Sequence, residues 1–246
     1  MLDLKTMAKR IPGLRSAFGF ARRRYLDWAL GSKPAEDIFR DVFRENKWGG
    51  TESLSGKGSD LLQTTVIRHQ LPMVCRELDI RTMLDIPCGD FNWMRLLDLS
   101  EITYTGGDVV ADLVLQNQAR YGRRGISFQV LDACLDRLPQ VDLILCRDLL
   151  VHLSFKDVRA TLRNFCRSGS KYILTTTFTA RDPNADIESG RWRPLNLQRP
   201  PFNFPQPIEL IVERCAEWNG YWADKCLGLW RLEDLNSAAK YLSEGD

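Results

Sequence analysis

The sequence predicts an α/β fold built on a mostly parallel, doubly wound sheet with helices on both faces. Three observations carry that prediction. Short apolar runs of strand length alternate with segments of helical period, the pattern of βαβ units. Four of the runs end at or just before an aspartate: Asp85, Asp108, Asp132 and Asp148. A tight Pro87-Cys88-Gly89 turn follows the first run. Ligands on sheets of this kind bind beyond the carboxyl ends of the strands, where all four acids fall. The chain has 246 residues, a length that suits one domain with additions.

The first segment is set apart by charge. Residues 1–33 hold eight basic and two acidic side chains, a net +6 that leaves −4 for the rest of the chain. Leu14, Phe18, Ala21, Tyr25 and Trp28 fall at helical spacing beside the basic side chains, so residues 1–45 read as a basic amphipathic helical arm. Such an arm suits packing on the domain or on a second subunit. It also suits peripheral contact with an anionic membrane surface. It lacks the continuous apolar stretch of a cleaved signal, and no run in the chain has the length of a membrane span. Asp3 and Asp27 count against an organellar transit peptide.

Residues 47–58 combine glycines, small hydroxyl residues and Trp48, which predicts a loop that orders over a ligand. Ser59 or Asp60 can cap a helix over roughly 60–78. Met83–Ile86 then reads as a buried strand, followed by the Pro-Cys-Gly turn and a stretch able to start a helix. Backbone N–H groups and the dipole of that helix suit an anionic ligand group, and Gly89 allows close backbone approach. The same arrangement can open a dinucleotide-binding unit, yet that fingerprint requires G-x-G-x-x-G, and here Pro87 replaces the first glycine.

Ile102–Gly107 predicts a second strand ending at Asp108, whose carboxylate can accept two hydrogen bonds from a ribose diol. Ile126–Leu131 predicts a third, followed by Asp132 and Ala133. Val141–Cys146 predicts a fourth, helix 155–167 follows, and Lys171–Thr177 predicts a fifth. The last two strands fall at 208–215 and 225–232. Between them and the fifth lies a segment, 179–207, with little periodicity. Loops of that length inside a compact domain are usually functional or disordered, and Trp192, Phe202, Phe204, several amides and four arginines suit order rather than a tail.

The run Asp85-Ile-Pro-Cys-Gly-Asp90, with acids after the next two strands, resembles motif I and its sequels in class I methyltransferases that use S-adenosylmethionine (SAM). The resemblance covers about residues 46–232 and implies a seven-stranded Rossmann-like sheet with an antiparallel hairpin edge. It implies SAM as cofactor, held by Asp85, Pro87, Cys88, Gly89, Asp90, Asp108, Asp132, Ala133 and Arg147, with Asp132 reaching the adenine amino group. The wider pattern, with Cys146-Arg-Asp-Leu-Leu-Val-His152 and Asn184 to Leu197, resembles bacterial and viral members associated with glycan modification. That likeness alone implies O-methylation of a sugar or glycan precursor. The alternatives are methylation of RNA or of another small metabolite, and a non-catalytic SAM-binding protein. A body without basic runs argues against a nucleic-acid partner.

Methylating a sugar hydroxyl needs a group that takes its proton. Asp148 and His152 are four apart, so on a helix they share a face and could act as a carboxylate–imidazole pair. In the 179–207 segment Trp192 offers a stacking face, Arg193 a donor fork and Asn196 a paired donor and acceptor for the acceptor ring. Seven scattered cysteines without a C-x-x-C pair point to a reducing, cytoplasmic setting. With only two histidines, no metal centre is expected.

Overall fold

The computed structural model describes residues 34–238; of the expected arm over residues 1–45, residues 1–33 lie outside them. Seven strands form one sheet: β1 (Thr82–Asp85), β2 (Thr103–Asp108), β3 (Ile126–Val130), β4 (Leu143–Cys146), β5 (Tyr172–Phe178), β6 (Glu209–Val212) and β7 (Lys225–Arg231). Their order is β3-β2-β1-β4-β5-β7-β6. The first five are parallel, and β7 runs antiparallel between β5 and β6. Chain order reverses between β1 and β4, which is where such sheets open a ligand crevice.

Each strand of the sheet centre is apolar on both sides. Leu143 and Leu145 of β4 join Met83 and Leu174 in one cluster, whereas Ile144 and Cys146 join Leu84 and Ile173 in the other. Helix α1 is Ala35–Arg44, α2 Thr65–Glu77, α3 Ala111–Tyr121, α4 Phe155–Arg167, α5 Glu217–Gly220 and α6 Leu232–Ala238. Helix α2 lays Ile67, Leu71 and Val74 against the first cluster, and α4 lays Val158, Leu162 and Phe165 against the second. Ser154 caps α4, its Oγ accepting the Asp157 N–H at 3.2 Å, which satisfies one of the donors a helix start leaves bare.

One expected helix is missing. After the Pro-Cys-Gly turn the chain forms only a 3-10 turn, Met94–Leu96. Phe91 takes a left-handed φ of 58° there, and its ring packs among Tyr104, Tyr121 and Phe128. Burying that ring breaks the helical path, so no α-helix dipole faces the cleft at this turn. Between β3 and β4 the chain is irregular. The segment 179–207 is irregular as well but ordered by its own anchors: Leu195 and Leu197 are fully buried, Phe202 meets Phe155 edge-on, and Phe204 meets Trp230.

Candidate active site

Beyond the carboxyl ends of β1 to β4 opens a cleft holding about 1150 Å³ of empty space, its mouth included. The strand-end acids stand in its wall. Asp85 ends β1, is buried, and accepts the Tyr104 hydroxyl at 2.6 Å. Burial pushes its carboxyl up to about 7 against that bond. Asp108 ends β2; one of its oxygens accepts the Val110 N–H at 3.0 Å and the other the Gly89 N–H at 3.1 Å. Burial raises it to about 6 even so. Asp132 follows β3, and its Oδ1 accepts the Cys134 N–H at 2.7 Å.

Gly89 completes this floor with φ 53°, and a Cβ on it would lie 2.2 Å from the Ser55 Oγ. The 47–58 loop therefore sits directly on the turn. Asp90 holds it there: its carboxylate accepts Ser53 Oγ at 3.0 Å, the Leu54 N–H at 2.8 Å and Ser55 Oγ at 3.3 Å. Its backbone N–H donates to Ser55 Oγ at 3.1 Å. Asp90 is thus a loop anchor, its oxygens turned to the lid rather than left for a cofactor. A second tie runs from Arg147 Nη2 to the Gly58 carbonyl at 2.8 Å. Cys88 and Pro87 line the cleft beside Ala133. Burial holds the Cys88 thiol well above its ordinary value, which makes it a packing group and not a nucleophile.

One wall was not foreseen. Ala35, Phe39 and Phe43 of α1 line the cleft beside Trp48, so the domain's packing begins before residue 46. The i, i+4 spacing of those three residues is the signal for a buried helix face.

At the β4 end, Arg147 and Asp148 belong to a buried ionic cluster. Arg147 Nη2 meets Glu213 at 2.8 Å and Nη1 meets Asp148 at 3.3 Å. Lys225 Nζ meets Asp148 at 2.7 Å and Glu213 at 3.4 Å. Lys225 and Arg147 hold the Asp148 carboxyl far below the usual carboxylate range, overriding its burial. A carboxylate so stabilised is a poor proton acceptor, which corrects its expected role as base. The expected helix face is also absent. Asp148 has φ 58°, and Leu150–His152 is a 3-10 turn, so the Asp148–His152 pair does not form.

His152 stands instead in the cleft wall, half-buried, with its ring 5.1 Å from the Trp48 ring. Its Nδ1 lies 2.9 Å from the Arg191 carbonyl. A carbonyl only accepts, so Nδ1 carries the proton and the neutral ring keeps its lone pair on Nε2. Burial lowers its pKa below the ordinary value, so the ring is neutral at pH 7.

The three expected acceptor contacts are not brought to the cleft. Trp192 is 42% exposed and packs edge-on with Phe178 and Trp222. Arg193 spends its donors on the Leu150, Leu153 and Ala185 carbonyls at 2.7, 2.9 and 3.1 Å. Asn196 donates to the Thr179 and Arg181 carbonyls at 3.2 and 3.0 Å. None of the three lines the cleft, and the donors of Arg193 and Asn196 are spent on backbone carbonyls instead. Among the described residues no cluster of His, Cys, Asp or Glu could hold a metal ion, and no helix is long and apolar enough to cross a membrane.

No protein-family model and no curated protein matches the chain. Solved structures do. Magnesium protoporphyrin IX methyltransferase from Synechocystis PCC 6803, with bound SAM, is 13% identical and aligns over 81% of this chain and 98% of its own at TM-score 0.53. Human N-acetylserotonin methyltransferase, in complex with SAM, is 16% identical over 91% of this chain and 68% of its own at TM-score 0.52. The chain spans 66% of the methyltransferase domain of bacterial CtHen1-C, which is 19% identical over 48% of this chain at TM-score 0.42. The two broad alignments give this sheet the fold of class I methyltransferases.

Proposed function

We propose that this chain is a SAM-dependent methyltransferase that methylates a hydroxyl of a small acceptor, with His152 as the general base and helices framing both faces of the sheet. The observation that carries the reading is the His152 ring. It is neutral and points its proton at Arg191, so its Nε2 can accept a proton, and it lines the same cleft as the strand-end acids.

The residues fit the cofactor. Each Asp108 oxygen accepts one N–H and keeps a second lone pair, so the pair suits a ribose diol. Arg147 Nε is buried without a partner, a donor suited to the carboxylate of the cofactor's amino-acid end. Asp85 is the acid suited to the ammonium beside it, and Asp132 to the adenine amino group. Pro87, Cys88, Gly89 and Ala133 form the close-fitting surface. Bound there, SAM supplies a methyl group on a sulfonium sulfur. The lid at 47–58 excludes water, which sharpens every electrostatic contact inside.

For the acceptor we infer a ring compound with a hydroxyl and an apolar face, because Phe39, Phe43, Trp48 and Leu153 line the cleft and the Trp48 ring, itself against Phe39, packs on His152. A sugar or glycan precursor that lays its C–H face on Trp48 belongs to that class, as does a flat phenolic ring. The 179–207 segment lends the sugar no support. Methyl-labelled SAM offered with a panel of sugars and phenols tests the reading. His152→Gln should lower turnover roughly 10²–10⁴-fold with SAM affinity unchanged. SAM binding without transfer to any acceptor would make the chain a non-catalytic binder. Full turnover by His152→Gln would remove the base.

A further inference from the structure

We infer that Arg193 is the positioning residue for the proposed base, clamping the turn that carries His152 through the backbone of that turn. The inference rests on the reading of His152 above.

Every carbonyl of the turn is taken by residues 190–193. Arg193 Nη1 donates to Leu150 O at 2.7 Å and Nη2 to Leu153 O at 2.9 Å. The Arg193 N–H donates to Val151 O at 3.0 Å and the Gly190 N–H to His152 O at 2.8 Å. Between those two donors sits the Arg191 carbonyl that accepts the His152 Nδ1–H. One short stretch of chain thus fixes both the backbone of the base and the tautomer of its ring. A free imidazole turns easily about its last torsion, so the ring needs such a partner to keep Nε2 toward the cleft. The bond to Arg191 survives only while residues 191 and 152 hold their register, and the fork of Arg193 spans both ends of that register.

Arginine is the residue this geometry demands. Its planar guanidinium offers donors in fixed directions, so it reaches two carbonyls three residues apart and Ala185 O besides. A lysine ammonium is a single point on a flexible stem and cannot span them together. Arg193 is 5% exposed as a residue, and its guanidinium lies over the Phe155 ring at 5.5 Å. Burial lowers it to about 10, so it stays charged at neutral pH and its bonds to the carbonyls are charge-assisted.

The chain has two histidines, His69 and His152, so ¹⁵N-histidine labelling gives two imidazole signals, assigned with His152→Gln. In the full chain the His152 ring should show a single Nδ1–H tautomer that titrates below the usual histidine value. In Arg193→Lys, with SAM affinity within twofold of the parent, the tautomers should mix. An Nε2–H tautomer in the parent protein would overturn the inference, even where the variant fails to fold. An unchanged His152 spectrum in a SAM-binding Arg193→Lys protein would overturn it too. Neither result depends on turnover, whereas full activity of His152→Gln would defeat the base reading itself.

Discussion

Asp108 shows how a buried acid can be both strained and useful. Its carboxyl is raised to about 6 by burial although the Val110, Gly89 and Val109 N–H groups point at it. A ligand that adds two hydroxyl donors recovers the solvation the fold removed. Asp108→Ala should therefore weaken SAM binding by roughly 2–4 kcal/mol, the worth of two bonds to a charged group. Calorimetry showing equal affinity would move the ribose elsewhere. This residue was legible in the sequence, because a strand end and the spacing from Gly89 fix where an acid can stand. The same logic placed Asp85 and Asp132. It failed at Asp148, whose partner Lys225 arrives from β7, far along the chain. It failed again at Arg193 and Asn196, whose polarity serves backbone carbonyls that no sequence pattern announces.

At the scale of elements, strands were easier to read than the turns between them. The central strands are buried on both faces and so appear as unbroken apolar runs, and α4 matches its expected span, residues 155–167. The helix after Gly89 was misread because Phe91 has the composition of a helix start but buries its ring with Tyr104 and Phe128. The 47–58 loop was expected to cover a ligand, and it lies on Gly89 through Asp90. That contact is testable. Asp90→Ala removes an acceptor shared by Ser53, Leu54 and Ser55, so the loop should be cut faster by protease. SAM should leave roughly tenfold faster, a change of about 1.4 kcal/mol. Unaltered proteolysis and dissociation would mean that the Arg147–Gly58 tie alone holds the lid.

Across the whole molecule, the fold stores unfavourable charge where the proposed cofactor brings favourable charge. Asp85 and Asp108 sit at about 7 and about 6, above the roughly 4 of an unfolded aspartate. The folded state therefore binds more protons than the unfolded state between these values. Stability from these two groups falls as pH rises from about 4 to about 7, and the deficit is complete above that. The paired Asp148 works in the opposite sense, since its depressed value adds stability above about 4. Comparing the parent with Asp85→Asn isolates the first effect, because Asp148 is common to both. The neutral amide should raise the melting temperature of the ligand-free protein at pH 8 more than at pH 5. SAM carries cationic sulfonium and ammonium groups, so it favours the ionised acid. The rise in melting temperature on adding SAM should be larger at pH 8 than at pH 5 in the parent, and it should lose much of that pH dependence in Asp85→Asn. Parallel pH profiles for the two proteins, with and without SAM, would show that Asp85 is neutralised within the fold and does not meet the cofactor's charge.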